Sequence, residues 1–252
     1  MRWRWRIENS EGMRRRKEII VLCKLLHPAL MRAIKGQRKP KIILINGQPL
    51  IEKNAIYAIN HSCAHDLPIA CEAIGRHTYV LAAKQRLRLM DYACFVLNGV
   101  VWVDRDDRES KRKAVDQMAR LLEKGENVCM FPEATWNLTP SKPVLPLYWG
   151  IIGLAGRAGV PIVPVVLEYR EDSCYVKFGQ ALAVKGPENK QDKINALEDA
   201  LATLKWDIWQ KFPLVRRKGI REGEWDDEVR RRLAEYPLLD ERQEQNYVRR
   251  RG

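Results

Sequence analysis

Apolar positions along this chain follow two rhythms that alternate. Short, dense runs read as strands: KIILIN (41–46), NAIYAI (54–59), TYVLAA (78–83), VVWV (100–103), NVCMF (127–131), PIVPVVLEY (161–169) and CYVKFG (174–179). Between them the apolar residues take helical spacing. Helices are expected over 66–75, 85–98 and 107–124, the last with its stripe at positions 114, 115, 118, 121 and 122 and a stop at Gly125. The Gly- and Ala-rich run 144–158 reads as a buried helix. A long helix over 189–211 lines Ile194, Leu197, Leu201, Leu204 and Ile208 on one face. A last helix, 224–235, sets Asp226, Asp227 and Glu228 four residues ahead of Arg230, Arg231 and Arg232, with Trp225, Val229, Leu233 and Tyr236 as a docking stripe. Strands alternating with helices predict an α/β fold, a mostly parallel sheet flanked by helices on both sides. Functional groups in such sheets gather beyond the carboxyl ends of the strands.

Composition narrows the partners. The chain has 252 residues, 46% of them hydrophobic, enough for one sizeable core plus appendages. A formal charge of +13 predicts a polyanionic partner: nucleic acid, an anionic membrane surface or a phosphorylated substrate. Plain solubility is the bland alternative. Six cysteines at 23, 63, 71, 94, 129 and 174 form no CxxC pair and read as buried thiols in a reducing cytoplasm. No apolar stretch has the length of a transmembrane helix. The nearest, 18–34, is interrupted by Lys24 and Arg32 and broken at His27-Pro28. No small-x-small cleavage site follows it, against a signal peptide. Residues 1–17 carry seven basic groups against two acidic ones, with Trp3 and Trp5 set between arginines. Such a segment, followed by a short apolar helix, can lie on an anionic bilayer without crossing it. A helix packed on the body is the equal alternative.

Three polar clusters fall at strand ends. NHSCAHD (60–66) follows the strand 54–59, DRDDR (104–108) follows 100–103, and PEATWN (132–137) follows 127–131. In the first, a strand-to-helix turn can fold Asp66 back onto His61. The carboxylate then fixes the imidazole tautomer and leaves the other ring nitrogen to take a proton from a hydroxyl. His61, Cys63, His65 and Asp66 are also zinc ligand types, but no second Cys/His pair complements them, and residues two apart in a tight turn converge poorly on one tetrahedron. Arg105 and Arg108 could grip a phosphate in fork geometry, or form a solvated turn with their aspartates. Glu133 could orient an acceptor or a loop, or simply cap a turn. The run AGVPIVPV (158–165) carries no ionisable group and could line an acyl channel or be core.

In this order and spacing, NHSCAHD, GVVWVDRDDR, FPEATWN and AGVPIVPV resemble the four sequence blocks of the glycerolipid acyltransferase family, the 1-acylglycerol-3-phosphate acyltransferases among them. Asn60, His61 and Asp66 match block one, Gly99 and Arg105 block two, Phe131, Pro132, Glu133 and Thr135 block three, and residues 160–165 block four. The resemblance implies an α/β catalytic domain over 39–212, between a basic, amphipathic and membrane-associating helical segment, 1–38, and a charged helical extension, 213–252. It implies an acyl group moved from acyl-CoA or acyl carrier protein to a lysolipid hydroxyl in phospholipid biosynthesis, with His61 as general base and Asp66 orienting it. Arg105, Arg108, Glu133, Thr135 and Trp136 are the acceptor-binding candidates. No metal or bound cofactor and no nucleic acid is expected. The expected location is the cytoplasm, peripheral on the inner face of the membrane. The other readings are a non-catalytic basic membrane- or nucleic-acid-binding module and a zinc protein. Block three departs from its family twice. Ala134 stands for a glycine, so a reshaped loop is expected if that position needs positive φ. Trp136 stands for an arginine that in the family holds the acceptor's phosphate, a charge that Arg105, Arg108 or Lys142 would otherwise have to supply.

Overall fold

The computed structural model describes residues 40–51, 53–84, 92, 95–96, 98–139, 142–170, 172–184, 189–212 and 221–234. Seven strands form one sheet in the order β1-β7-β6-β2-β5-β3-β4. They are β1 (Lys41–Leu44), β2 (Ile56–Ile59), β3 (Thr78–Ala83), β4 (Val100–Val103), β5 (Asn127–Met130), β6 (Ile162–Arg170) and β7 (Ser173–Phe178). Strands β6, β2, β5, β3 and β4 pair in parallel. β7 returns antiparallel to β6, and β1 pairs parallel to β7. The sheet is therefore mostly parallel, as expected, with a reversed edge. Asn46 staples that edge: its side chain donates to Phe178 O at 2.7 Å and accepts from Phe178 N at 2.9 Å.

The helices are α1 (Asp66–Ile74), α2 (Arg108–Glu123), α3 (Gly150–Ala158), α4 (Lys190–Lys211) and α5 (Glu224–Ala234). Crossovers between parallel strands are right-handed, so connections travelling in opposite directions land on opposite faces. From β2 to β3 the chain moves toward the β4 edge; from β4 through β5 to β6 it moves back. Accordingly α1 covers one face, where Ile69, Ala70 and Ile74 meet Tyr57, Ile59, Val163 and Val165. α2, α3 and α4 cover the other, where Met118, Leu122, Leu154, Leu197 and Leu201 meet Ile56, Ala58, Ile162 and Val166. Central β2 is buried along its whole length and feeds both cores. Its apolar run has no polar face because neither side of the sheet meets water. Truncating Ile56 to alanine would cost about 2–5 kcal/mol.

One boundary differs from expectation. α3 begins at Gly150, not near 144. Pro146 drives Leu145 out of the helical region, and the Leu145 N–H is committed to Glu133 Oε2 at 2.8 Å. In α5, Asp227 pairs with Arg230 at 2.9 Å and with Arg221 ahead of the helix, while the expected Glu228–Arg232 pair lies outside the described side chains. Trp225, Leu233 and Tyr236 lie outside the described side chains, as do the expected N-terminal helix, most of the segment 85–98 and the charged C-terminus. Among the described residues, no helix is long and apolar enough to cross a membrane.

Candidate active site

The carboxyl ends of β2 and β5 are neighbours in the sheet, and the first and third clusters meet there. β2 stops at Ile59 because the next side chain takes over its pairing. Asn60 accepts from Leu167 N at 2.7 Å and donates to Leu167 O at 3.0 Å, bonding to β6 as a strand backbone would. The backbone is then free to turn at His61. Five residues on, Asp66 opens α1 in its first turn, where helix polarity favours a negative charge.

The turn folds the carboxylate back as the spacing suggested. His61 Nδ1 lies 2.8 Å from Asp66 Oδ2. Asp66 has no exposed surface and collects five donors. Oδ2 takes His61 Nδ1 and the backbone N–H groups of Ser62 and Cys63, the last at 2.9 Å. Oδ1 takes the Tyr169 hydroxyl at 2.6 Å and the Cys63 thiol at 3.5 Å. Burial alone would raise the Asp66 carboxyl, but the bonds from His61, Tyr169 and Cys63 outweigh it and hold the group below the usual carboxylate range. An ionised carboxylate only accepts, so in the neutral ring the proton sits on Nδ1 and the lone pair on Nε2. The His61 side chain is 22% exposed. Its ring stacks on Phe131 with centroids 4.3 Å apart, while the Trp136 indole meets it edge-on at 6.0 Å. Among the described residues no group hydrogen-bonds Nε2.

Glu133 sits under this arrangement, fully buried, rather than on its surface. Oε1 accepts from His61 N at 2.8 Å and Oε2 from Leu145 N at 2.8 Å. The Asn137 N–H closes the other side of the turn on His61 O at 2.6 Å. Of the roles weighed for Glu133, these two bonds fit the orientation of a loop. Burial pushes its carboxyl up to about 7, against the pull of the Leu145 and His61 N–H groups and of Lys205. Ala134 follows with φ +54° and donates its N–H to Phe131 O at 2.9 Å. The position does take positive φ, in a left-handed turn closed by that bond, at a backbone cost of roughly 1–2 kcal/mol for alanine.

Block two arrives from β4. Gly99 turns into that strand with φ +86°, and a Cβ there would come within 2.6 Å of the Tyr79 ring, so glycine is required twice over. Asp107 caps α2 by accepting from Glu109 N at 2.8 Å. Arg105 Nη1 then reaches Ala134 O at 2.6 Å, tying blocks two and three together. Arg108 projects from the first turn of α2, exposed, and no hydrogen bond or ion pair joins it to the other site residues among those described. Thr135 and Trp136 are half-buried in the same loop, and the Lys142 side chain is exposed beyond it. His65 is exposed and apart from buried Asp66, and among the described residues no three His, Cys, Asp or Glu side chains gather as metal ligands. Tyr169 is the residue that sequence reasoning passed over. In sequence it is one more strand position, although it ends the apolar alternation Val163, Val165, Leu167 at the end of the sheet where sites form.

Residues 35–168 match the Acyltransferase family. Curated relatives include the 1-acyl-sn-glycerol-3-phosphate acyltransferase of Haemophilus influenzae, 30% identical over 114 residues, which is 44% of this chain and 47% of that one. The 1-acyl-sn-glycerol-3-phosphate acyltransferase alpha of Homo sapiens is 34% identical over 107 residues, 42% of this chain and 35% of that one. The aligned part thus spans about half the length of such relatives, or less. The fold is similar to the crystal structure of the 1-acyl-sn-glycerophosphate (LPA) acyltransferase PlsC from Thermotoga maritima, with a TM-score of 0.59 and 18% identity over 81% of this chain and 85% of that one. The matched segment holds all four blocks and both members of the His61–Asp66 pair, and the chain belongs to the Acyltransferase family.

Proposed function

We propose that this chain transfers a fatty acyl group from a thioester donor, acyl-CoA or acyl carrier protein, to a hydroxyl of a lysophospholipid or related glycerolipid. The observation that carries the reading is the 2.8 Å bond from His61 Nδ1 to Asp66, beneath a partly open ring. His61 Nε2 takes the proton of the acceptor hydroxyl as its oxygen attacks the thioester carbonyl. The tetrahedral intermediate collapses, the C–S bond breaks, and the proton passes from His61 to the leaving thiolate. Asp66 holds the ring and stabilises the imidazolium between the two transfers. The step needs no metal and no bound cofactor.

The acceptor is defined at Trp136. An arginine offers phosphate a charged, two-pronged grip; an indole offers one N–H and a broad apolar face. With that indole set against His61, the acceptor carries no phosphate at this point, and the ring packs on a sugar, polyol or chain. The rival is Arg105, whose guanidinium already reaches the same loop at Ala134 O. The test is thiol release from acyl-CoA against a panel of acceptors with wild type, Trp136→Arg and Arg105→Ala. The reading requires the wild type to prefer a non-phosphorylated or differently headed acceptor and Trp136→Arg to shift toward lysophosphatidic acid. Efficient wild-type acylation of lysophosphatidic acid that Arg105→Ala abolishes assigns the charge to Arg105 instead.

The reaction is placed at the inner face of a membrane, reached peripherally through the basic segment 1–38. Binding to anionic liposomes is expected to weaken as salt rises and to be lost on deletion of residues 1–34. Salt-insensitive binding, unchanged by the deletion, contradicts this placement.

A further inference from the structure

The family match ends at Glu168, one residue short of Tyr169. Yet the Tyr169 hydroxyl makes a 2.6 Å bond to Asp66 across 103 residues of sequence. Its sense is fixed. Burial, together with the neighbouring Asp66 charge, pushes the phenol well above its ordinary value, so it stays protonated and donates. Its role follows from how the two carboxylate oxygens are divided. Oδ2 is held by two backbone N–H groups and the imidazole. Among the described residues Oδ1 takes Tyr169 and a weak thiol contact at 3.5 Å. A strong donor on the second oxygen gives the carboxylate a second point of attachment, which resists rotation about its Cβ–Cγ bond. Tyr169 is suited to the task because it stands near the end of β6, where Leu167 is bonded both ways to Asn60, directly before His61. Tyr169 and His61 therefore sit on one rigid frame, with Asp66 between them.

We infer that Tyr169 is a positioning residue, which fixes the Asp66 carboxylate and through it the orientation of His61. The inference rests on the acyl-transfer reading for its kinetic effect but not for its geometry. Tyr169→Phe keeps the ring and removes only the hydroxyl. In thiol release from acyl-CoA with a lysophospholipid acceptor, kcat is expected to fall about 10-fold, a fraction of the general-base contribution. KM is expected to stay within about two-fold, since substrate contacts are untouched. The low-field proton resonance of His61 Nδ1–H is expected to move in the variant. In an Asp66→Asn background the same substitution is expected to cause little further loss, because the residue it acts through is gone. A second observable needs no variant of Tyr169: its hydroxyl proton is expected to be protected from exchange in the wild type and unprotected in Asp66→Ala. Wild-type kcat with an unmoved resonance, an equal loss in the Asp66→Asn background, or a hydroxyl proton unprotected in the wild type overturns the inference. A wild type that releases no thiol from any donor overturns the functional reading instead, and the two proton resonances still decide the role of Tyr169.

Discussion

Asp66 and Glu133 are two carboxylates with no exposed surface, set below one histidine, and they ionise in opposite directions. Burial raises both. Asp66 meets five donors, one of them an imidazole that gains charge during the proposed reaction, and is held below the ordinary range. Among the described residues Glu133 takes a backbone N–H on each oxygen, from His61 and Leu145, and is pushed up to about 7. Equal burial with unequal donors gives different roles. The first is a permanent charge that orients the ring of His61. The second is a clamp on the backbone of His61, joining the end of β2 to the loop before α3.

The sharpest way to break the comparison is Asp66→Asn. An amide can present an N–H toward Nδ1 and support the wrong tautomer, so kcat is expected to fall about 10³-fold or more with substrate binding preserved. Glu133→Gln comes next. The amide has one acceptor oxygen for two backbone N–H groups, leaving either His61 N or Leu145 N unanswered. A loss of about 10- to 100-fold in kcat is expected, matching the roughly 1–3 kcal/mol of an unsatisfied buried donor. Equal effects of the two substitutions would erase the distinction between orienting the ring and clamping the backbone.

The pH dependence of stability separates the carboxylates without any assay of turnover. Asp66 has a lowered folded-state value, so its contribution is present above the unfolded value and is lost as pH falls through the folded one. Glu133 has a raised value, so the folded state holds its proton more tightly than the unfolded state does. Its contribution is full below the unfolded value and is lost as pH rises toward about 7. A shift of this size is worth roughly 3 kcal/mol. Denaturant unfolding measured from pH 4.5 to 7 should therefore show a decline in the wild type, relative to Glu133→Gln, of that order. A constant difference across the window would mean that Glu133 is not raised.

Much of this was legible in the sequence. Strands and helices alternate as the apolar rhythm indicated, and the pairing of His61 with Asp66 follows from a five-residue turn between a strand and a helix. Local spacing carries that kind of information. The donors that distinguish the two carboxylates are non-local. Tyr169 lies 103 residues from Asp66, and the clamp from Glu133 spans 72 residues to His61. Which strands are neighbours decides these contacts, and periodicity does not encode sheet order. Helix α3 is shorter than its apolar run because Pro146 disfavours helical backbone before it, a signal present in the sequence. At Ala134 the residue type raised the question of positive φ, and the backbone answers it: alanine takes the left-handed conformation.

That alanine supplies the smallest expected effect. Ala134→Gly relieves left-handed strain beside Glu133 while adding freedom to the unfolded chain, for a net gain of about 1 kcal/mol or less. The melting midpoint should rise by roughly 2–4 °C at most, with kcat little changed. A fall in the midpoint would show that the turn is relaxed with alanine in place.

The account stands most directly on His61 itself. Thiol release from acyl-CoA in the presence of a lysophospholipid acceptor should be measured for the wild type and for His61→Ala, each verified as folded by its circular dichroism and cooperative melt. Turnover by the wild type and a loss of about 10²–10⁴-fold or more in the variant is the predicted result. Near-wild-type turnover by a folded His61→Ala protein would contradict it.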